Sequence, residues 1–441
     1  LKHAFGAARA RLGLGLPRLP MQLAALLAPL ALALAVAVPV AVSAPAATVG
    51  ASGAPGTGVF EPWLQTLWEV EGHPHAPLRR LQSDPLDLRV AKGLGTKGYS
   101  KVRISVVSPR LEDFHDFNFT YRERFRYRWT QNFLHSALVD LVPGRNALSI
   151  GGHSVVVDLP PEGSGIRGVF LSDPCFSSKW VICKYALEYA TFERTLRLLN
   201  EVYKDSSMNL LSILGDNFYD QTGELTQTLF DRLSPDVKRR FLLTVNGNHD
   251  IWICGEPQCG SPADNFGIGQ MQYYPADTVA STLAPQNDSH FLDFSVDPDK
   301  AGRWHGFPNK GTNFLTYHKL GNVGFIAFTG AASFEEMRPY FEGACLYFAK
   351  SKPSVVFLLG HWNGEGFGCT WGMAAPELRA YLLAVPGCSA LGERLMYMDG
   401  HQHCNVKKMH GFTIGAHGMG DPSCAPSYGF LFLDSMGNRI R

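Results

Sequence analysis

The feature that most constrains this chain is a series of short, largely apolar runs that each stop on side chains able to bind metal. Residues 168–172 stop at Asp173, 210–214 at Gly215-Asp216, and 241–245 at Asn246-Gly247-Asn248-His249-Asp250. Further on, 354–359 stop at Gly360-His361, and 394–398 at Asp399-Gly400-His401-Gln402-His403. Runs of this length without alternation read as strands buried on both faces. Helical periodicity fills the gaps between the first three. It covers 184–203, where Leu187, Thr191, Leu196, Leu199 and Val202 recur, and 224–240, interrupted before Pro235. A strand at 323–328 and a helix at 334–350 follow. Alternating strands and helices predict an α/β fold.

In such sheets the loops at the carboxyl ends of the strands converge on ligand sites. The residues collected there are Asp173, Asp216, Tyr219, Asn248, His249, His361, His401 and His403. Carboxylate, amide, imidazole and phenol make a hard, mixed oxygen and nitrogen donor set. It suits iron, manganese or zinc better than calcium or magnesium. Eight such groups exceed what one ion needs, so two ions sharing a carboxylate is the natural count.

Upstream the pattern differs. Over 117–129, Phe117, Phe119, Tyr121, Phe125, Tyr127 and Trp129 alternate with Asn118, Thr120, Arg122, Arg124, Arg126 and Arg128. Period two with aromatics on one side predicts a half-buried strand or hairpin. The arginine side is either a polyanion surface or an ordinary solvated sheet face. Strands at 138–142, 147–150 and 154–159 are split by Pro143-Gly144 and Gly151-Gly152. Together these predict a small β-rich N-terminal module, with an Ala/Gly/Pro-rich linker at 48–60 before it. The 40 basic and 39 acidic residues leave a net charge of +1, which gives no bulk attraction for a nucleic-acid scaffold.

Residues 1–20 contain Lys2, Arg9, Arg11 and Arg18 and no acid; 23–42 carry no charge; and Ser43, Ala44, Ala46 and Ala47 follow. This reads as a signal peptide cleaved near 44–47, so the expected location is the secretory pathway, secreted or lumenal. The alternatives are an uncleaved anchor, the one case that would place the protein on a membrane, and organelle targeting. Asn118-Phe119-Thr120 and Asn287-Asp288-Ser289 are glycosylation acceptors if exposed in a secreted chain. An oxidising compartment would let several of the nine cysteines pair, Cys254 with Cys259 foremost.

The motifs Gly215-Asp216-Asn217-Phe218-Tyr219, Gly247-Asn248-His249-Asp250, Gly360-His361 and Gly400-His401-Gln402-His403, in that order, resemble the calcineurin-like metallophosphoesterase superfamily. The tyrosine narrows the resemblance to its purple acid phosphatase branch, of the tartrate-resistant type. The resemblance covers roughly Gly168 to the C-terminus. It implies a four-layer α/β sandwich, two mixed sheets flanked by helices, behind the β-rich module. The implied organisation is a leader at 1–47, linker and module at 48–165, and the metallophosphoesterase domain at 166–441.

Residue by residue, the resemblance implies that Asp173, Asp216, Tyr219 and His403 hold one metal, with Asp216 bridging. Asn248, His361 and His401 complete the second. A phenolate at Tyr219 favours Fe(III), with Fe(II), Zn or Mn at the other position. His249 would act beside the transferred phosphoryl group, with Asp250 orienting its imidazole. Two cations about 3.5 Å apart would activate a hydroxide and clamp a phosphate-ester substrate.

The first motif departs from the family pattern. It reads Asp173-Pro174-Cys175, and Cys175 is open to reading as a disulfide partner, a packing residue or a soft ligand. No proline or further histidine follows His361 in Trp362-Asn363-Gly364-Glu365-Gly366. Plainer readings also exist. Asp216 and Asn217 could cap the following helix. His401 and His403 could be ordinary strand-end histidines. Trp362 and Trp371 line the site or pack the core, and His417 is a candidate substrate contact. The expected activity is an acid-phosphatase-type phosphomonoesterase. The alternatives are a phosphodiesterase or nucleotidase of the same fold, and a non-catalytic metal-binding secreted protein.

Overall fold

The computed structural model describes residues 86–119, 121–124, 132–176, 190–220, 223–250, 273–274, 276–279, 313–330, 334–362, 373–415 and 430–436. All belong to the second of two compact units into which the chain divides, at Gly58 and Val59. The leader, the linker, the 125–129 part of the alternating aromatic run, the start of the helical pattern at 184–189, Cys254, Cys259, the 287–289 triplet, Trp371 and His417 lie outside the described residues. Among those described, no helix is long and apolar enough to cross a membrane.

Among the described residues two large mixed sheets face each other, and the first has eight strands. Its centre is β7 (Arg167–Leu171), β8 (Met208–Leu214) and β9 (Phe241–Val245), paired in parallel. The strand-rich segment upstream is present and is built onto the same sheet. β1 (Asp87–Lys92) runs parallel to β9, and β2 (Lys101–Ser108), β3 (Tyr121–Arg124) and β4 (Phe133–Asp140) extend it antiparallel in the order β1-β2-β4-β3. Gly144–Ile150 (β5) and His153–Leu159 (β6) form a separate hairpin. The second sheet has six strands. β10 (Thr316–Leu320) is antiparallel to β11 (Val323–Ala327); β12 (Val355–Leu359), β13 (Leu395–Asp399) and β15 (Gly411–Thr413) continue in parallel, and β14 (Val406–Lys408) closes the edge. A last strand, β16 (Leu431–Asp434), lies antiparallel to β7 on the first sheet.

Strand alternation sorts side chains into layers. Phe170, Leu210 and Leu243 point inward to meet Phe325, Phe357 and Met398 of the other sheet. The rings of Phe170 and Phe325 stand 6.3 Å apart across that interface. Val169, Leu211 and Ile213 point outward and carry α1 (Thr191–Val202) and α2 (Glu224–Arg232) through Leu196, Leu199, Leu229 and Phe230. Ile326, Val356 and Leu358 do the same for α3 (Phe334–Ser351) and α4 (Ala375–Ala384) through Phe341, Phe348, Leu378 and Leu382. Helix, sheet, sheet, helix is the four-layer sandwich expected. A disulfide between Cys345 on α3 and Cys388 closes a span of 43 residues, which removes loop entropy worth roughly 4 kcal/mol from the unfolded chain.

The helical stretch over 224–240 is interrupted before Pro235 as expected: α2 stops at Arg232, Ser234 is extended, and a short helical turn, Pro235–Lys238, follows. One element differs from expectation. Phe117 and Phe119 are buried as their alternation requires, but in a turn before β3 rather than in a strand. There they pack with Phe114 and His135, while Asp116 accepts the backbone N–H groups of Gly151 and Gly152 at the hairpin tip.

His318 on β10 is buried beside Phe325, and among the described residues its Nδ1 has no hydrogen-bond partner. Burial, and then the Lys92 ammonium, push its imidazole down to about 3. A histidine depressed in the folded state costs stability as pH falls below its unfolded value near 6.5, until its folded value is passed. His318→Leu should therefore recover on the order of 3 kcal/mol at pH 4 relative to its effect at pH 7. Urea unfolding at the two pH values measures this, and equal effects at both would exclude it.

Candidate metal centre

β7, β8, β9, β12 and β13 are parallel within their sheets, so their carboxyl ends deliver Asp173, Asp216, Asn248, His361, His401 and His403 to one edge of the sandwich. Asp173 Oδ2 accepts the Ser172 hydroxyl and the backbone N–H of His401, the latter at 3.0 Å. Asp173 Oδ1 lies 3.2 Å from both Tyr219 Oη and His403 Nε2, and Tyr219 Oη is 2.8 Å from that same nitrogen. Asp216 Oδ1 accepts the backbone N–H of His249 at 2.9 Å. Its other oxygen, Oδ2, stands 3.3 Å from His361 Nε2. The ring of His401 lies 5.1 Å from that of His361. Donor atoms of Asp216, His361 and His401 fall within 4.8 Å of one another, as do those of Asp173, Asp216 and His403. Asp216 is common to both groups.

The surroundings of His361 test whether cations fit. Its Nδ1 is 2.9 Å from the Leu214 carbonyl and must donate there. Among the described residues, Nε2 then faces acceptors: Asp216 Oδ2, Asn248 Oδ1 at 3.2 Å and Asp173 Oδ1 at 3.8 Å. Oxygens converge on a nitrogen lone pair only around positive charge, either a proton or a metal ion. The donor set and its convergence fit metal ions. Asp173, Asp216, Tyr219 and His403 can surround one, and Asp216, Asn248, His361 and His401 another.

Titration in the absence of metal agrees. Burial pushes the carboxyls of Asp173 and Asp216 up, but His361, with His403 at Asp173 and His249 at Asp216, outweighs it and holds both below the usual range. Burial pushes His361 down, while Asp216 and Asp173 carry it up to about 10. Burial also opposes the charge on His403, which Asp173 nevertheless raises. His401 is pushed down to about 4 by burial and then by His361. Burial, Asp173 and Asp216 push the Tyr219 phenol well up, so its phenolate requires a strongly charged cation beside it.

The local backbone is unusual. Among the described residues, eight non-glycine positions have left-handed φ, and six of them are Asp173, Asp216, Phe218, Tyr219, His401 and His403. Glycines admit the close approaches. A Cβ on Gly247 would fall 2.3 Å from Asp216 Oδ1, one on Gly215 2.5 Å from His361 Nδ1, and one on Gly400 1.9 Å from Ser172 Oγ.

One expectation changes and two open readings close. Asp250 does not orient His249: its carboxylate accepts N–H groups from Asn217 and Gly247, and His249 Nδ1 has no partner among the described residues. Burial and the Asp216 carboxylate push Asp250 up, opposed by those N–H groups and by His361. Asp216 and Asn217 do not cap the next helix. Asp220 does so, accepting from Gly223 and Thr226. Cys175 is disulfide-bonded, as is Cys404, which removes it from the ligand candidates. The sequence reading passed over Ser172, which holds Asp173 and reaches the Leu214 carbonyl at 2.9 Å. A serine beside a strand-end aspartate carries no distinct sequence signal. Trp362 is buried edge-on to His361 and 6.4 Å from the His401 ring, supporting both.

No protein-family model and no curated protein matches the chain. Among solved structures it is similar to a purple acid phosphatase from yellow lupin (Lupinus luteus) seeds. That TM-score is 0.44 at 13% identity, over 80% of this chain and 70% of that one. It is also similar to the anchor in the inner membrane complex of Plasmodium (TM-score 0.30, 17% identity, 63% of this chain and 83% of that one). A candidate 5'-nucleotidase from Staphylococcus aureus matches with TM-score 0.23 at 12% identity, over 58% of this chain and 49% of that one. All three scores are low, and the reading of the site rests on its own geometry.

Metal taken up at His361 Nε2 would have to displace the proton there. With that pKa raised to about 10, loading the metal-free protein at pH 7 should release at least one proton per chain, and affinity should rise with pH toward 10. Indicator-dye titration in weak buffer reads this. Uptake without acidification would contradict the arrangement.

Proposed function

We propose that residues 166–441 form the catalytic part of a two-metal phosphoester hydrolase of metallophosphoesterase type, acting as an acid-phosphatase-type phosphomonoesterase. The observation that carries this reading is the pair of ligand groups sharing Asp216, with the Tyr219 phenol against both Asp173 and His403. Fe(III) at Tyr219 and Fe(II), Zn or Mn beside Asn248, His361 and His401 would satisfy the donors. Bound there, the two cations would lower the pKa of water and draw charge from the phosphate oxygens. Asp216 orients both positions, held through the His249 backbone N–H. The half-buried His249 ring, 4.8 Å from that of Tyr219, would stand beside the transferred phosphoryl group as acid or electrostatic stabiliser. The disulfides at Cys345–Cys388, Cys175 and Cys404, with an exposed Asn118, support a secretory route for the chain.

The purified protein should contain iron, absorb visible light through its tyrosinate, and hydrolyse an aryl phosphate between acid and neutral pH. Tyr219→Phe should abolish the visible band and weaken metal retention by on the order of tenfold or more while the protein stays folded. Absence of bound metal together with absence of hydrolysis would sink this reading. A preference for diesters or nucleotides in a substrate panel would move it within the same chemistry.

A further inference from the structure

Asp250 is enclosed completely, and its carboxylate gathers three N–H groups. Oδ1 accepts the backbone N–H of Asn217 at 2.8 Å; Oδ2 accepts the Asn217 side-chain amide at 2.9 Å and the backbone N–H of Gly247 at 2.6 Å. The same amide also donates to the Val245 carbonyl at 3.0 Å. These partners belong to the loops leaving β8 and β9, so the two side chains stitch one loop to the other. Asp216 stands inside the stitch. It precedes Asn217, its φ of 48° is left-handed, and Gly247 passes so close that a Cβ would fall 2.4 Å from its backbone nitrogen. A carboxylate fixed this way cannot rotate toward one ligand group without breaking a buried hydrogen bond.

We propose that Asp250 and Asn217 are a positioning pair that aims Asp216 at both ligand groups and so sets the spacing between two cations, neither residue touching substrate. The inference rests on the two-metal reading above. Asp250→Asn puts an amide where only an acceptor fits, against the N–H groups of Asn217 or Gly247. Asn217→Ala removes the side-chain bonds and keeps the backbone one. Exchanging the two residues, Asn217→Asp with Asp250→Asn, restores an amide-to-carboxylate bond between them.

The test loads full-length metal-free protein with Mn(II). It reads ions bound per chain, the affinity of the second ion, the melting transition, and the paramagnetic resonance signal that separates a carboxylate-bridged, exchange-coupled pair from isolated ions. Wild type should bind two coupled ions. Asp250→Asn and Asn217→Ala should keep a cooperative melting transition, lose the coupled signal and bind the second ion at least tenfold more weakly; the exchanged pair should recover part of the coupling. If wild type binds fewer than two ions, the two-metal reading fails and this inference with it. If wild type holds a coupled pair and both single variants hold it unchanged, the positioning role alone is overturned. Loss of the melting transition in both variants would also overturn it, making the pair a fold element.

Discussion

The hydrogen bond from His361 Nδ1 to the Leu214 carbonyl joins the two halves of the molecule where it matters most. Leu214 ends β8 in one sheet, and His361 follows β12 in the other. Between them the sheets meet mainly through apolar side chains, which are tolerant of small slips because dispersion and burial carry no direction. A buried hydrogen bond does carry direction. It fixes the imidazole plane and leaves Nε2 facing Asp216, Asp173 and Asn248. Gly215 lets the contact form, since a side chain there would collide with the ring.

Once Nε2 is aimed, the charges follow. Two carboxylates in an enclosed space repel each other and lose hydration, so they remain ionised only if cations are provided. His361 and His403 provide them as protons on the nitrogens that face Asp216 and Asp173. Replacing either carboxylate alone would leave buried imidazolium uncompensated, a cost of several kcal/mol rather than the loss of one contact.

The periodicity of the apolar runs made the strand positions legible: β9 was expected over its observed span, and β7, β8, β11, β12 and β13 within two residues of theirs. The convergence of Asp173, Asp216, Tyr219, His361, His401 and His403 was legible for the same reason, because parallel strands carry their ends to one edge. Local partners were not legible. Asp250 follows His249 in sequence, but a short 3₁₀ turn at Asn248–Asp250 carries its carboxylate toward Asn217. Asp220 rather than Asp216 caps α2, because Gly223 opens that helix with left-handed φ and leaves its first N–H groups over Asp220. Residue type announces that a hydrogen bond will be made; only the turn decides with whom.

The concentration of left-handed backbone at the centre has a physical consequence. Each such non-glycine residue costs roughly 1 kcal/mol or more, and it persists only where the surroundings leave no relaxed alternative. At Asp173 and His403 that restraint is partly covalent: disulfide-bonded Cys175 and Cys404 lie two residues and one residue beyond them. Around His403 the chain is also wedged by Gly415, where a Cβ would fall 2.3 Å from the His403 carbonyl carbon. Asp216 and His361 instead rely on the contacts of Gly247 and Gly215 and on hydrogen bonds alone. Asp173 and His403 thus sit in a frame with covalent restraint close by, whereas Asp216, shared by both groups, is held by packing and hydrogen bonds.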